Sequence, residues 1–224
     1  MKSITMLFLL ILTEMLADIR VYQYTGVEVK YEGEKVTLER EIDPKCLNIS
    51  ISSANIWEGS YADKSIPKEC KATFVTSVGQ IQPISIHPDV ETYGEMEVMH
   101  FFKQMQHDNS LLLVDTRDEH WFDYRTIPGA VNVSHNYIAN PKEFPDEFKQ
   151  ALDTLGIKIS NGSYDFKAAK KIVLFCNGAW CSQSPKMIKN LMSLGYPAKK
   201  LKWYRGGMHD WLTLSMTSTH KIER

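Results

Sequence analysis

The chain has 224 residues, of which 43% are hydrophobic and 24% are charged, a balance typical of a folded, water-soluble protein. Its 26 basic side chains nearly equal its 27 acidic ones, so the net charge is only −1. A chain this close to neutral has no long-range field to attract nucleic acid, and we expect no nucleic-acid partner. Four cysteines are too few for a disulfide scaffold at this length, although they can form two pairs.

The first 17 residues predict an export signal. Lys2 gives a positive start, residues 4–12 form a short apolar run, and Ala17 is a small residue at the expected cleavage point. The run is too short to span a bilayer, and we expect no integral membrane span. A buried first helix is the alternative, but Glu14 and Asp18 would interrupt it. The signal predicts an exported protein, periplasmic if bacterial, in a compartment where disulfides can form.

Residues 18–90 predict a small domain of β-strands. Polar and apolar residues alternate from residue 27 to residue 38 around a Glu32-Gly33-Glu34 turn, which indicates a β-hairpin. Residues 46–51 and 72–78 are further strand candidates. Because so short a segment has little core, a disulfide between Cys46 and Cys70 would stabilise it by about 3 kcal/mol. A redox role for this pair is the alternative, although its spacing matches no reactive-cysteine motif.

Residues 91–216 show a different pattern, in which helices and strands alternate. Two continuous apolar runs, at 111–115 and 172–175, indicate strands buried on both faces of a parallel sheet. A third strand is expected at 129–133, and helices are expected at 93–105, 145–155 and 185–194. Together these elements predict an α/β sandwich with a mainly parallel sheet, followed by a C-terminal tail at 217–224.

The most informative residue is Cys176, which directly follows the apolar run at 172–175. Ligands bind at the carboxyl ends of the strands in open parallel sheets, so this position is a candidate site. A loop leads from Cys176 into the next helix, and it consists of Asn177, Gly178, Ala179, Trp180, Cys181 and Ser182. Such a loop can point backbone N–H groups inward at the positive end of the helix dipole, which favours a reactive thiolate. An inert, buried thiol is the alternative.

Four segments resemble the rhodanese domain family in order and spacing, over about residues 92–215. They are Val114-Asp115-Thr116-Arg117, Ile127-Pro128-Gly129-Ala130-Val131-Asn132, Phe175-Cys176 with its loop, and Arg205-Gly206-Gly207 with Trp211. The resemblance implies an α/β rhodanese fold whose Cys176 carries sulfur as a persulfide. It also implies that Asp115 and Arg117 order the loop, and that Gly206 and Gly207 form a turn beside the site.

The resemblance implies a sulfurtransferase that works by double displacement without a metal or another cofactor. The Cys176 thiolate takes a sulfane sulfur from a small donor, and a thiol, another small nucleophile or a protein thiol then removes it. The donor is thiosulfate, a polysulfide or a thiol persulfide. Rhodaneses that favour thiosulfate often carry basic side chains in this loop, whereas residues 177–182 include none, so efficient thiosulfate use depends on Arg125, Lys186 or Arg205 reaching in.

Cys181, five residues after Cys176, leaves two alternatives open. If the two sulfurs come within bonding distance, the pair could serve a thiol–disulfide or persulfide redox protein. If Cys181 points into the helix packing, it is a small buried residue. A further alternative is a non-catalytic binding module whose loop is a recognition surface. Trp180 is either an apolar contact for a protein or peptide thiol or a lid packed on the core. The seven histidines have no metal-ligand spacing, so we expect no metal site, and only His209 is expected near the loop.

Overall fold

The computed structural model describes residues 26–39, 80–160 and 162–219. The predicted export signal, the predicted strands at 46–51 and 72–78, and the predicted Cys46–Cys70 disulfide lie outside the described residues. The domain boundaries at 17/18 and 90/91 also stay predictions. Among the described helices, none is long and apolar enough to cross a lipid bilayer.

Nine strands and six α-helices are found in the described residues. The strands are β1 (Val27–Tyr31), β2 (Glu34–Leu38), β3 (Glu91–Tyr93), β4 (Leu111–Asp115), β5 (Val131–Asn132), β6 (Lys158–Ser160), β7 (Ser163–Asp165), β8 (Lys171–Phe175) and β9 (Leu201–Tyr204). The helices are α1 (Glu95–Met105), α2 (Glu119–Tyr124), α3 (His135–Ala139), α4 (Pro145–Thr154), α5 (Gln183–Leu194) and α6 (Gly207–Thr213).

The centre of the fold is a five-stranded sheet in the order β3-β9-β8-β4-β5, and every neighbouring pair in it is parallel. The predicted α/β architecture is therefore confirmed. Alternate side chains of β4 and β8 enter two different cores, one on each face of the sheet. One core contains residues of α3, α4 and α5, and the other contains residues of α1 and α6. This two-sided burial explains the continuous apolar runs in the sequence.

The predicted β-hairpin is present as β1 and β2, which pair antiparallel with Val29 opposite Val36. Its two-residue turn places Glu32 and Gly33 at positive φ, as a tight hairpin turn requires. The buried face of the hairpin, which includes Leu38, belongs to the same core as α1 and α6. The hairpin therefore packs directly on the α/β sheet structure.

Strand β9 and helix α1 both differ from what the sequence pattern predicts. Strand β9 was not expected, because Lys202 interrupts its apolar residues, yet Lys202 is buried and its Nζ lies 3.0 Å from Glu91 Oε2. On α1, hydrophobic residues recur every three positions from Met96 to Met105, a pattern that favours a helix, but Met96 itself is exposed. A spacing of exactly three residues drifts around a helix of 3.6 residues per turn, so the buried face instead contains Val98, Met99 and Phe102.

Candidate active site

Cys176 lies at the carboxyl end of β8, between the ends of β4 and β9. Backbone hydrogen bonds from the residue after β4 and from α6 fix this end of the strand. Thr116 N donates to Phe175 O at 3.0 Å, and Met208 N donates to Cys176 O at 3.0 Å. His209 N donates to Asn177 O at 2.8 Å, so the first residue of the loop is also held by its backbone. The first residues of α6 thus hold the end of β8 and the start of the loop through backbone hydrogen bonds.

The predicted turn at Gly206 and Gly207 forms this support. Gly207 has φ +57°, and a Cβ on it would overlap the carbonyl oxygen of Cys176 and lie 2.9 Å from Gly178 N. Only glycine combines this conformation with so close an approach of two backbones. Gly206 is also crowded, because a Cβ there would lie 2.7 Å from Asp210 Oδ2.

Asp115 and Arg117 form a buried ion pair beside the loop. Arg117 Nη2 lies 2.6 Å from Asp115 Oδ2, and Thr126 Oγ1 donates to the same carboxylate oxygen at 2.7 Å. The guanidinium also reaches the loop, because its Nη1 donates to Asn177 Oδ1 at 3.2 Å. Arg117 therefore links the end of β4 to the first residue of the loop, as expected of a residue that orders it.

Cys176 and Cys181 are joined by a disulfide, with their Cα atoms 6.3 Å apart. Both side chains are nearly inaccessible, at 2% and 9% exposure. The backbone of the loop closes in a turn, in which Cys181 N donates to Gly178 O at 2.9 Å. The structure therefore brings the two sulfurs together, which is the first of the two alternatives that the sequence left open for Cys181.

The surroundings of Cys176 Sγ differ from the expected ring of amides. In the disulfide form, the Ser184 hydroxyl donates to this sulfur at 3.2 Å, and the Cys181 carbonyl oxygen lies 3.5 Å from it. Within the described loop, no backbone N–H donates to Cys176 Sγ. One of these N–H groups, that of Cys181, is used by the turn for its hydrogen bond to Gly178 O. An amide ring around a loaded sulfur stays a prediction.

An extended segment, residues 80–83, covers the outer side of the loop, and we call it the strap. Gln82 N donates to Ala179 O at 2.8 Å, and Gln80 N donates to Trp180 O at 3.2 Å. Arg205 holds the strap from the other side, with Nη2 2.8 Å from Gln82 O. The Arg205 guanidinium is thus directed at the strap. No periodic pattern in the sequence indicated this segment.

Trp180 and His209 form an aromatic contact over the loop. Their ring centroids are 5.0 Å apart and the rings are close to perpendicular. His209 Nδ1 lies 2.9 Å from Asp210 Oδ1. The structure therefore places His209 near the loop, as the sequence predicted, and it packs Trp180 against the start of α6.

Sequence reasoning missed the roles of Ser184 and Trp203. Trp203 on β9 donates from its indole nitrogen to Ser184 Oγ at 3.1 Å, and Ser184 in turn contacts Cys176. In the sequence Ser184 is a polar residue just before Pro185, at the expected start of a helix, where a hydroxyl is common. Ser182 lies at the N-cap position of α5 and makes no side-chain capping bond there.

Of the other two predicted cations, Arg125 bonds away from the loop, whereas Lys186 lies in the first turn of the helix that follows the loop. Arg125 Nε donates to Ser218 Oγ at 2.8 Å, near the C-terminal end of the described chain. Lys186 is in α5, where its backbone N–H donates to Ser182 O. Within the described ranges, no group of three His, Cys, Asp or Glu side chains is arranged to bind a metal ion.

The fold and the loop define an α/β protein with a buried cysteine pair at the carboxyl edge of a parallel sheet. The family model described as Rhodanese-like domain matches residues 99–214, more than half of the chain. The chain belongs to the rhodanese-like domain family. A rhodanese-like domain fits the sulfurtransferase superfamily, although many such domains are non-catalytic.

Solved structures with a similar fold share little sequence with this chain. A protein from Bacillus halodurans is 18% identical, with a TM-score of 0.41, and the match covers 59% of this chain and 78% of that one. The rhodanese-like domain of a protein from Anabaena sp. is 15% identical, with a TM-score of 0.38 and coverages of 59% and 80%. A rhodanese from E. coli with anions is 15% identical, with a TM-score of 0.31 and coverages of 49% and 98%. No curated protein matches the chain.

Proposed function

We propose that this protein is a sulfurtransferase that carries sulfane sulfur as a persulfide on Cys176. The observation that carries the proposal is the position of Cys176, at the carboxyl end of β8 and ahead of the N-terminus of the twelve-residue helix α5. The helix dipole and the Ser184 hydroxyl favour negative charge on this sulfur. Membership of the rhodanese-like family supports the same chemistry.

The reaction starts from the reduced form, because a disulfide sulfur has no free thiolate. A dithiol reductant first opens the Cys176–Cys181 bond by thiol–disulfide exchange and leaves as its own disulfide. The Cys176 thiolate then attacks the outer sulfur of a thiol persulfide or polysulfide. The donor's sulfur–sulfur bond breaks, and the donor leaves as a thiolate or a shorter polysulfide. Cys176 now carries one additional sulfur.

The second half-reaction unloads the sulfur. An acceptor thiolate or cyanide attacks the outer sulfur of the Cys176 persulfide, the bond to Cys176 breaks, and its electron pair returns to Cys176 as a thiolate. The persulfide and the acceptor both react without a metal or another cofactor. A protein thiol is an equally suitable acceptor in chemical terms.

The donor class follows from the charges around the loop. Residues 177–182 carry no basic side chain, and Arg205 donates to the strap carbonyl of Gln82. A thiosulfate sulfonate would therefore find no cation within the loop itself, and Arg205 would have to leave the strap to pair with it. We infer that a thiol persulfide or a polysulfide is a better donor than thiosulfate.

A second candidate function is favoured by one observation, the disulfide between Cys176 and Cys181. In this function the Cys181 thiolate attacks Cys176 Sγ of the persulfide, expels hydrosulfide, and forms the disulfide seen in the structure. A dithiol then reduces the disulfide. The protein would act as a persulfide or thiol–disulfide relay, and the added reactants are a persulfide donor and a dithiol.

The location of this chemistry is also a proposal. We propose that the predicted signal at residues 1–17 exports the chain, to the periplasm if the protein is bacterial. In a compartment that maintains disulfides, the Cys176–Cys181 pair would stay oxidised until a dithiol reduces it.

The two candidates differ in their dependence on Cys181. The test uses the full chain, reduced with a dithiol and freed of it, with thiosulfate, a polysulfide or a thiol persulfide as donor and cyanide as acceptor. We expect thiocyanate from the persulfide and polysulfide donors, little from thiosulfate, and only the uncatalysed background from Cys176→Ser. No thiocyanate from any donor, with the Cys176 thiol intact, would contradict the proposed function.

The Cys181→Ser variant separates the transferase from the relay. A sulfurtransferase with this substitution still forms thiocyanate. A relay with both cysteines releases hydrosulfide from its persulfide and forms the disulfide before any reductant is added, whereas with Cys181→Ser the persulfide persists, because the internal attack on Cys176 Sγ is lost. If Cys176→Ser retains the biological function of the chain, the loop serves as a binding module instead.

A further inference from the structure

Three buried side chains form a hydrogen-bonded chain that ends at Cys176. Trp203 Nε1 on β9 lies 3.1 Å from Ser184 Oγ in the first turn of α5, and Ser184 Oγ lies 3.2 Å from Cys176 Sγ. Ser184 is fully buried, and Trp203 and Cys176 are 1% and 2% exposed. Bulk water therefore does not compete for these groups, and their mutual hydrogen bonds keep their strength.

The chemistry of the three groups fixes the direction of this chain. An indole N–H is only a donor, so Ser184 Oγ accepts the hydrogen bond from Trp203. A serine hydroxyl has one proton, and the remaining described partner for it is Cys176 Sγ. The Trp203 indole thus orients the Ser184 hydroxyl so that its proton points at the sulfur.

We propose that Ser184 is a positioning residue, whose hydroxyl is oriented by Trp203 and stabilises the Cys176 thiolate over both the thiol and the disulfide. A disulfide sulfur is a weak acceptor, whereas a thiolate is a charged and therefore strong one. The hydrogen bond thus becomes stronger when the disulfide is reduced and Cys176 ionises. This inference rests on the proposed function, in which that thiolate is the nucleophile.

The other charged and titratable groups near the loop act through different atoms. Arg117 contacts the Asn177 side chain, His209 packs on Trp180, and Arg205 donates to the strap. Asp115 pairs with Arg117, and Lys186 is on α5, where it adds a positive charge to the same helix. In the described residues none of these side chains donates to Cys176 Sγ. A substitution at Ser184 leaves all of them in place, so its effect reports on the hydroxyl.

The first test measures the pKa of Cys176 in the full chain carrying Cys181→Ser, from the rate of alkylation by iodoacetamide as a function of pH. We expect Ser184→Ala to raise the thiol pKa by about one unit or more, since a hydrogen bond to a charged group is lost. Ser184→Thr keeps a hydroxyl and should restore the lower pKa. Ser193→Ala is the matched control, because it removes a hydroxyl of the same helix that bonds Lys189 O.

Trp203→Phe provides a second variant in case Ser184→Ala does not fold. It leaves the hydroxyl in place but removes the donor that orients it, and we expect a smaller rise in the pKa of Cys176. A purely structural role of Ser184 would lower the stability of the fold without changing this pKa. An unchanged pKa in a folded Ser184→Ala or Trp203→Phe protein would overturn the proposal.

The second test uses the chain with both cysteines and measures the equilibrium between its dithiol and disulfide forms in a dithiol buffer. We expect Ser184→Ala to shift this equilibrium toward the disulfide by about tenfold, because the reduced form loses its stabilised thiolate. Neither test needs a sulfur donor. If both shifts are found but no persulfide forms, the proposed function is wrong and the role of Ser184 stands. If a persulfide forms but neither shift is found, the role of Ser184 is wrong and the proposed function stands.

Discussion

At the scale of single residues, the sequence indicates the reacting group but not the groups that surround it. Cys176 stands out because it ends an apolar strand and begins a loop that enters a helix. Ser184 and Trp203 do not stand out, because their contact joins positions 19 residues apart in two different elements. The disulfide partner Cys181 was visible as a candidate, but only the folded turn at Gly178 brings its sulfur to Cys176.

Gly207 gives a prediction at this scale. Replacing it by alanine strains a residue at φ +57° and places a methyl group against the carbonyl of Cys176. We expect Gly207→Ala to lower the free energy of unfolding by about 1–3 kcal/mol and to slow sulfur transfer by at least about tenfold, because the loop must shift. Chemical denaturation and the thiocyanate assay measure the two effects.

Gly33→Ala is the control for backbone strain alone. Gly33 has φ +85° in the hairpin turn, and nothing lies within 4 Å of a Cβ built there. This variant should lose about 1 kcal/mol of stability and keep its rate of transfer. Equal rates for the two variants would show that the close approach of Gly207 to Cys176 does not shape the site.

At the scale of elements, the regular parts were predictable and the strap was not. Strands β4 and β8 are continuous apolar runs, and α4 and α5 begin near prolines, so their sequences alone indicate them. Strand β9 was hidden by Lys202, whose charge is paired with Glu91 at the edge of the sheet. The strap has no period, and its exposed Ile81 gives no sign of a buried face. Its position depends on the loop that it contacts.

The strap predicts an effect on access to the disulfide. Gln82→Pro removes the N–H that donates to Ala179 O and should loosen the strap from the loop. We expect reduction of the Cys176–Cys181 disulfide by a small dithiol to become about two- to tenfold faster, as expected for the loss of one hydrogen bond. The rate is measured by trapping the free thiols at successive times.

Ile81→Pro is the matched variant, since no hydrogen bond from Ile81 N is found among the described residues. It introduces the same ring one position earlier and should leave the rate of reduction close to that of the unmodified chain. If both variants, or neither, change the rate, the strap does not control access through its bond to the loop.

At the scale of the whole molecule, the N-terminal hairpin and the α/β sheet structure form a shared core. Val27, Val29 and Leu38 pack with residues of α1 and α6, and Thr217 Oγ1 donates to the hairpin at Glu39 O. The sequence predicts a boundary near residue 90, because its local pattern changes there. Such patterns indicate which face of an element is apolar, but they do not show which distant element covers it. The α/β class was therefore predictable, whereas the docking of the hairpin was not.

Cys176 accepts and releases sulfane sulfur in the proposed reaction, and peptide mass spectrometry can follow both steps. The full chain is reduced with a dithiol, freed of it, treated with a thiol persulfide, and then digested to locate any added mass. We expect one additional sulfur atom on the peptide that contains Cys176, and its loss after addition of cyanide. A Cys176 thiol that stays free and unmodified under these conditions would rule out sulfur transfer through this residue.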